Sequence, residues 1–177
     1  MNKVTNKRRI GIVLGAMLAS LVLFISGAAA VSFVFAGTST SVQRDITENA
    51  PTFVPLAAIW HDVPSTALGG IVVPLGATRA VESTFGAETR CVNTSYCSVR
   101  VVAVTAGGGV IEFNPQPGTD FAFDSPGGNW EQHSVHRVTR LGPGTYVIKV
   151  QARLVGPAAG ALFSLDDYTH FVDVINP

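Results

Sequence analysis

Apolar positions along this chain follow two patterns that meet near residue 37. Ile10–Ala36 is an unbroken apolar run of 27 residues whose only polar side chains are Ser20, Ser26 and Ser32. Beyond residue 50, apolar residues come in short bursts rich in Val, Ile, Thr and Phe, punctuated by Gly and Pro, with no helix-period segment of useful length. The clearest burst is Thr145–Val155. Tyr146, Ile148, Val150, Ala152 and Leu154 fall on one face, and Lys149, Gln151 and Arg153 fall on the other with Thr145 and Val147. This alternation predicts a strand with one face on a core and one in water. Further strands are predicted at Thr52–Ile59, Gly70–Val73, Thr78–Phe85, Ser98–Thr105, Val110–Phe113, Thr119–Phe123, Trp130–Arg140 and Ala161–Ile175. The last should bend near Asp166-Asp167, because so long a strand is unusual. Short strands joined by turns such as Leu141-Gly142-Pro143-Gly144 predict an all-β, two-sheet sandwich.

The first pattern predicts one hydrophobic helix. About 20 helical residues cross the hydrocarbon layer, and no charge inside Ile10–Ala36 opposes insertion. Lys7, Arg8 and Arg9 precede the run, and the next positive charge is Arg44, so the positive-inside rule sends residues 37–177 outward. The length of the run suits an uncleaved single-pass anchor. Ala28-Ala29-Ala30 and Val34-Phe35-Ala36 offer small-x-small sites at which a signal sequence would be cut. Residues 1–36 are therefore read as a transmembrane anchor or a cleaved signal peptide. Localisation is single-pass in the cell membrane with the C-terminal domain outside, or secreted after cleavage near Ala30 or Ala36. No Cys follows the run to carry a lipid. Gly11, Gly15 and Ala19 form a small-xxx-small stripe of the kind that packs two helices, though small residues are common in such segments.

Residues 37–50 (GTSTSVQRDITENA) lack apolar periodicity and read as a flexible spacer, which leaves 51–177 for the sandwich domain. Charge supports the division. The chain has 12 basic and 12 acidic residues, but four of the basic ones (Lys3, Lys7, Arg8, Arg9) and none of the acidic ones lie in residues 1–36. The remainder therefore carries eight basic against twelve acidic residues, a net −4. There is no basic patch for nucleic acid and no series of spans for a multi-pass bundle.

The segment Arg137-Val138-Thr139-Arg140-Leu141-Gly142-Pro143-Gly144-Thr145-Tyr146-Val147-Ile148-Lys149-Val150 resembles the penultimate hairpin of many extracellular jelly rolls, and Leu165-Asp166-Asp167-Tyr168 resembles their closing strand. Complement- and tumour-necrosis-factor-like heads and carbohydrate-binding modules share this pattern. The resemblance covers about the last 45 residues and implies a jelly-roll-like sandwich of about eight to ten strands. It transfers no functional residue, because those families place their binding groups on variable loops or faces.

Candidate chemistry is sparse. Cys91 and Cys97, the only cysteines, flank a five-residue loop between predicted strands; in an exported domain they read as a disulfide pinning a hairpin. Asn93-Thr94-Ser95 between them has the form of a glycosylation sequon. His133 and His136 have helical metal-site spacing, but on a strand they point to opposite faces and read as surface histidines. His61-Asp62 beside Trp60 diverge in the same way, at an edge or loop. Asp166 and Asp167 beside Tyr168, with Asp173 or Asp124 nearby, could donate oxygens to Ca²⁺, which wants six to eight; otherwise they solvate a turn. These three residues are the candidate ligand-binding set, and calcium the only cofactor considered. Gly107-Gly108-Gly109 lies between strands and reads as a hairpin turn. Phe113, Phe121, Phe123, Trp130 and Tyr168 could include a sugar-stacking platform, although most should be core. There is no Gly-x-Ser-x-Gly elbow.

The sequence thus predicts a non-catalytic extracytoplasmic module with a structural or protein-contact role at the cell envelope. The alternative is a carbohydrate-binding module, calcium-assisted or not, and a His/Asp enzyme is third. Partners would be the membrane through an uncleaved helix, a protein or glycan, and other copies of the chain.

Overall fold

The computed structural model describes residues 38–46, 52–55, 58–116 and 121–176. Ten strands appear among them, and they form two antiparallel sheets. The first sheet runs β1 (Thr38–Ile46), β10 (Leu162–Asn176), β5 (Arg79–Val92), β8 (Glu131–Leu141), with β2 (Thr52–Phe53) also on β10. The second runs β3 (His61–Asp62), β9 (Gly144–Val155), β6 (Tyr96–Thr105), β7 (Val110–Glu112), with β4 (Leu68–Val73) also on β9. From β5 onward the chain crosses repeatedly between the sheets: β5 in the first, β6 and β7 in the second, then β8, β9 and β10 in alternate sheets.

What binds the sheets together is the period of two. On β9, Tyr146, Ile148, Val150, Ala152 and Leu154 are buried, and the residues between them are partly or fully exposed, as the alternation predicted. Val81, Phe85, Phe163, Leu165 and Val172 of the first sheet join Val99, Val101, Ile148 and Leu154 of the second in one apolar core. Phe85 sits near its middle, 5.9 Å from the rings of both Phe123 and Tyr168. Burying a side chain of that size stabilises the fold by roughly 1.5–3 kcal/mol. The Leu141–Gly144 turn closes as a tyrosine corner, the Tyr146 hydroxyl donating to the Gly142 carbonyl at 2.9 Å. Residue 144 must be glycine, since at its φ of 154° a Cβ would lie 3.1 Å from that hydroxyl.

The structure corrects several expectations. The stretch read as a spacer holds β1, paired with β10 from Thr38↔Asn176 to Ile46↔Tyr168. A ladder of backbone hydrogen bonds needs no apolar alternation in the strand it recruits, which is why the pattern did not reveal it. The predicted strand at Thr52–Ile59 pairs only over Thr52–Phe53, two residues short of Pro55, which has no N–H to donate. Phe121–Phe123 is not a strand; Asp124 beside it makes a single bridge to Cys97. Conversely, β5 continues past Phe85 to Val92, because Gly86 sits within the paired ladder of both neighbours. The predicted bend in β10 is a bulge between Asp166 and Thr169, with Asp167 at φ 39°. The hydrophobic run of residues 10–36 lies outside the described residues, among which no helix is long and apolar enough to cross a membrane.

Among the buried polar residues, His170 and Arg137 carry the largest side chains. His170 is fully buried: its Nδ1 donates to the Thr66 carbonyl at 2.7 Å, and its Nε2 shares a hydrogen bond with the Ser83 hydroxyl at 2.9 Å. Arg137 is 5 % exposed, with its guanidinium carbon 4.4 Å from the centre of the Phe121 ring. Nη1 donates to the His136 carbonyl at 2.9 Å, while Nε and Nη2 are enclosed without hydrogen-bond partners among the described residues. Burial pulls the Arg137 pKa below its ordinary value, and the charge of Glu112 opposes that pull.

The cysteines do form a disulfide, but not across a hairpin. Cys91 lies next to the end of β5 in one sheet and Cys97 next to the start of β6 in the other, so the bond pins the corner where the chain changes sheets.

Two outcomes follow for stability. Replacing both cysteines by serine should cost about 2 kcal/mol in chemical denaturation, the chain-entropy value for so short a loop; an unchanged midpoint would show that the corner is held by other contacts. Arg137→Met should leave stability unchanged or raise it by roughly 1 kcal/mol, because it removes a buried charge whose donors are mostly unmet. Marked destabilisation of that variant would mean that the charge has a compensating partner.

Candidate functional site

Because β9 buries its even-numbered residues, Lys149, Gln151 and Arg153 project from the outer face of the second sheet. Arg100 of β6 pairs with Gln151 and joins them there. Trp60, immediately before β3, is half-buried against this face. The guanidinium carbons of Arg100 and Arg153 lie 4.5 and 4.3 Å from its ring centre, both within cation–π range. These two arginines rise from adjacent strands of the sheet on which the indole rests.

A line of hydrogen bonds crosses the same face from β7 to β3. Arg100 Nη1 donates to Glu112 Oε2 and Arg100 Nε to Gln151 Oε1, each at 2.8 Å. Gln151 Nε2 donates to Asp62 Oδ1 at 2.7 Å, and Lys149 Nζ to Asp62 Oδ2 at 2.6 Å. Burial pushes the Asp62 carboxyl up, but the hydrogen bonds from Lys149 and Gln151 and the charges of Lys149 and Arg100 outweigh it, holding its pKa below the usual carboxylate value. Each side chain is thereby fixed by its neighbours before any ligand arrives. A cavity of about 240 Å³ adjoins this line, between Thr52–Pro55 and His61–Pro64, and Asp62 borders both.

The other end of the face is apolar. Val147 pairs with Val104, which pairs with Val110. Val72 is 62 % exposed, Val110 53 % and Val147 36 %.

A second cluster lies where the disulfide corner meets the start of β8. His133 Nε2 is 3.5 Å from Asp124 Oδ1 and 3.5 Å from Glu131 Oε2, and one ligand atom from each residue falls within 4.8 Å of the others. Asp124 is buried, Glu131 exposed and His133 intermediate.

The residues singled out from sequence are distributed as follows. His133 and His136 do point to opposite faces of β8: His133 inward to Asp124, His136 outward to Thr84 Oγ1 at 3.0 Å. His61 and Asp62 also diverge, pairing with Ala152 of the buried set and Gln151 of the outer set. Asp166 and Asp167 sit at the β10 bulge, where Asp166 Oδ1 accepts from the Asp167 backbone N–H at 3.0 Å. Tyr168 is 1 % exposed and donates to the Pro64 carbonyl at 2.9 Å, so its ring serves the core. Asp124 is not with them: it accepts from Thr89 on the inner side of β5, whereas Asp166 pairs with the exposed Glu88. Of the aromatic set, Phe113, Phe123 and Tyr168 are buried, Phe121 is half-buried and Trp130 is 43 % exposed. Gly107–Gly109 forms the β6–β7 turn. Trp60 lies outside the aromatic set that the sequence suggests as a platform, although the polar set Lys149, Gln151 and Arg153 marks the face it covers.

No protein-family model matches the chain, and no curated protein matches it. Among solved structures it is similar to a carbohydrate-binding module (CBM6cm-2) from Cellvibrio mixtus lichenase 5A in complex with cellotriose. That match has 14 % identity and a TM-score of 0.31 over 77 % of this chain and 87 % of that one. It is also similar to a family two carbohydrate esterase from Cellvibrio japonicus, at 8 % identity and a TM-score of 0.27 over 78 % of this chain and 35 % of that one.

The depressed Asp62 pKa fixes the sign of one pH effect. A carboxyl whose pKa is lower folded than unfolded contributes stability above its unfolded value, near pH 4, and that contribution is lost as pH falls through the folded value. Thermal melts between pH 2.5 and 5 should show Asp62→Asn losing less stability on acidification than the parent chain; parallel curves would remove Asp62 from the acid limb.

Proposed function

We propose that the chain is a non-catalytic jelly-roll module, held or released on the outer side of a membrane, that binds a saccharide across the outer face of its second sheet. The observation that carries this reading is the half-buried Trp60 indole backed by Arg100 and Arg153 and bordered by the Glu112–Arg100–Gln151–Asp62–Lys149 line. A sugar ring presents an apolar C–H face and a rim of hydroxyls. The indole suits the first, while the carboxylate, amide and guanidinium suit the second. Because the polar side chains are already tied to one another, binding freezes few rotamers.

The remaining parts of the reading rest on separate features. The jelly-roll part of the reading is supported by the strand order β1-β10-β5-β8 in one antiparallel sheet and β3-β9-β6-β7 in the other. An outward orientation is supported by Lys7, Arg8 and Arg9 before the apolar run and by a disulfide of the kind that persists in oxidising compartments. Non-catalytic action is favoured by how the carboxylates of this face are engaged: Glu112 pairs with Arg100, and Asp62, held ionised, accepts from Lys149 and Gln151.

A second reading, a protein-contact surface, is favoured by exposed Val72, Val110 and Val147 beside a Trp and two Arg, the residue types that dominate interface hot spots.

The deciding experiment is a glycan array on the full chain in detergent, followed by titration of the best oligosaccharide. Trp60→Ala should weaken binding by at least about tenfold, while Val147→Lys should leave it unchanged. No saccharide signal, with Val147→Lys abolishing self-association on size exclusion, would replace the first reading with the second.

A further inference from the structure

We propose that Asp124, Glu131 and His133 form a binding site for a divalent transition-metal ion of the zinc class. The geometry comes first. His133 Nε2 stands 3.5 Å from one oxygen of each carboxylate, and one ligand atom from each of the three residues lies within 4.8 Å of the others. Donor atoms so close together can share one ion of zinc size, whose bonds to nitrogen and oxygen are about 2 Å long.

The hydrogen bonding comes second, and it separates a metal site from an ordinary ion pair. His133 Nε2 is enclosed yet makes no hydrogen bond, although both carboxylates are close. Asp124 is 4 % exposed, and a carboxylate so buried needs compensation. Its Oδ2 accepts from the Thr89 hydroxyl at 2.7 Å, while Oδ1 lies 3.5 Å from His133 Nε2. An imidazole nitrogen with no hydrogen-bond partner among the described residues thus faces an oxygen of a buried carboxylate.

The ligands are also pre-set. The Asp124 carbonyl accepts from Cys97 N–H at 3.0 Å, and the N–H groups of Phe123 and Asp124 donate to the Cys97 carbonyl at 2.8 and 3.2 Å. The disulfide ties Cys97 in turn to Cys91. Thr89 orients the Asp124 carboxylate in the manner of an outer-shell partner. The Phe123 ring lies 5.7 Å from the His133 imidazole. On the open side Glu131 reaches solvent, leaving coordination positions for water or a ligand oxygen.

The donor set selects the ion. One imidazole and two carboxylates suit zinc, cobalt or nickel, whereas Ca²⁺ wants six to eight oxygens and no nitrogen. Calcium at Asp166 and Asp167 is a separate idea in a separate place.

The test uses the full chain without a polyhistidine tag, titrated with Zn²⁺ by calorimetry and in thermal melts, with Ca²⁺ in parallel. One equivalent of Zn²⁺ should bind and raise the melting temperature, and Ca²⁺ should not. His133→Ala should reduce affinity by more than the roughly 10–100-fold typical of losing an outer-shell partner. Glu131→Gln changes an exposed side chain that the fold does not need, so it keeps the test valid if His133→Ala fails to fold, and it should weaken Zn²⁺ at least tenfold. His136→Ala, on the opposite face of β8, should have no effect. Zn²⁺ binding that is absent, substoichiometric, or unchanged in Glu131→Gln overturns the site.

Discussion

The described fold depends on one constraint: each strand must bury the same half of its side chains against the other sheet. Phe85, Phe163, Leu165 and Val172 face Val99, Val101, Ile148 and Leu154 across a single apolar layer. Because the side-chain period is two, a slip of one residue in β9 would send Lys149, Gln151 and Arg153 into that layer and Ile148 and Val150 into water. Register therefore sets the core and the outer face together. The same alternation that builds the core lays Arg100, Gln151, Lys149 and Arg153 side by side on the outer face.

The crossing between sheets gives the molecule its second point of interest. Between Cys91 near the end of β5 and Cys97 near the start of β6, the chain leaves one sheet for the other, and neither sheet's ladder spans the gap. The disulfide and the Cys97–Asp124 bridge close it. The same closure carries a carboxylate into the mouth of the sandwich, opposite an inward-facing histidine of β8.

Much of the strand pattern could be read in the sequence. Thr145–Val155 alternates over its whole length, and the Gly-Pro-Gly turn before it ends in the tyrosine that locks it. The ends of strands were less legible. Gly86 reads as a breaker but sits in a paired ladder, and Thr38–Ile46 reads as a linker but pairs with β10 along its whole length. Of the candidate sites, the polar face of β9 was visible as a set of outward residues. Trp60 was not, because its place over Arg100 and Arg153 depends on contacts separated by 40 and 93 positions in the chain.

By itself, then, the sequence determined the strand class, the outward face of β9, the disulfide partners and the divergence of His133 from His136, since each follows from local periodicity or from there being only two cysteines. Tertiary structure alone decided that the disulfide joins two sheets rather than a hairpin, that Tyr168 and His170 belong to the core, and that Asp124 meets Glu131 and His133. Those outcomes depend on which strands become neighbours. Neighbour choice is settled by burying the apolar faces of the whole domain at once, a quantity that no local window of residues contains.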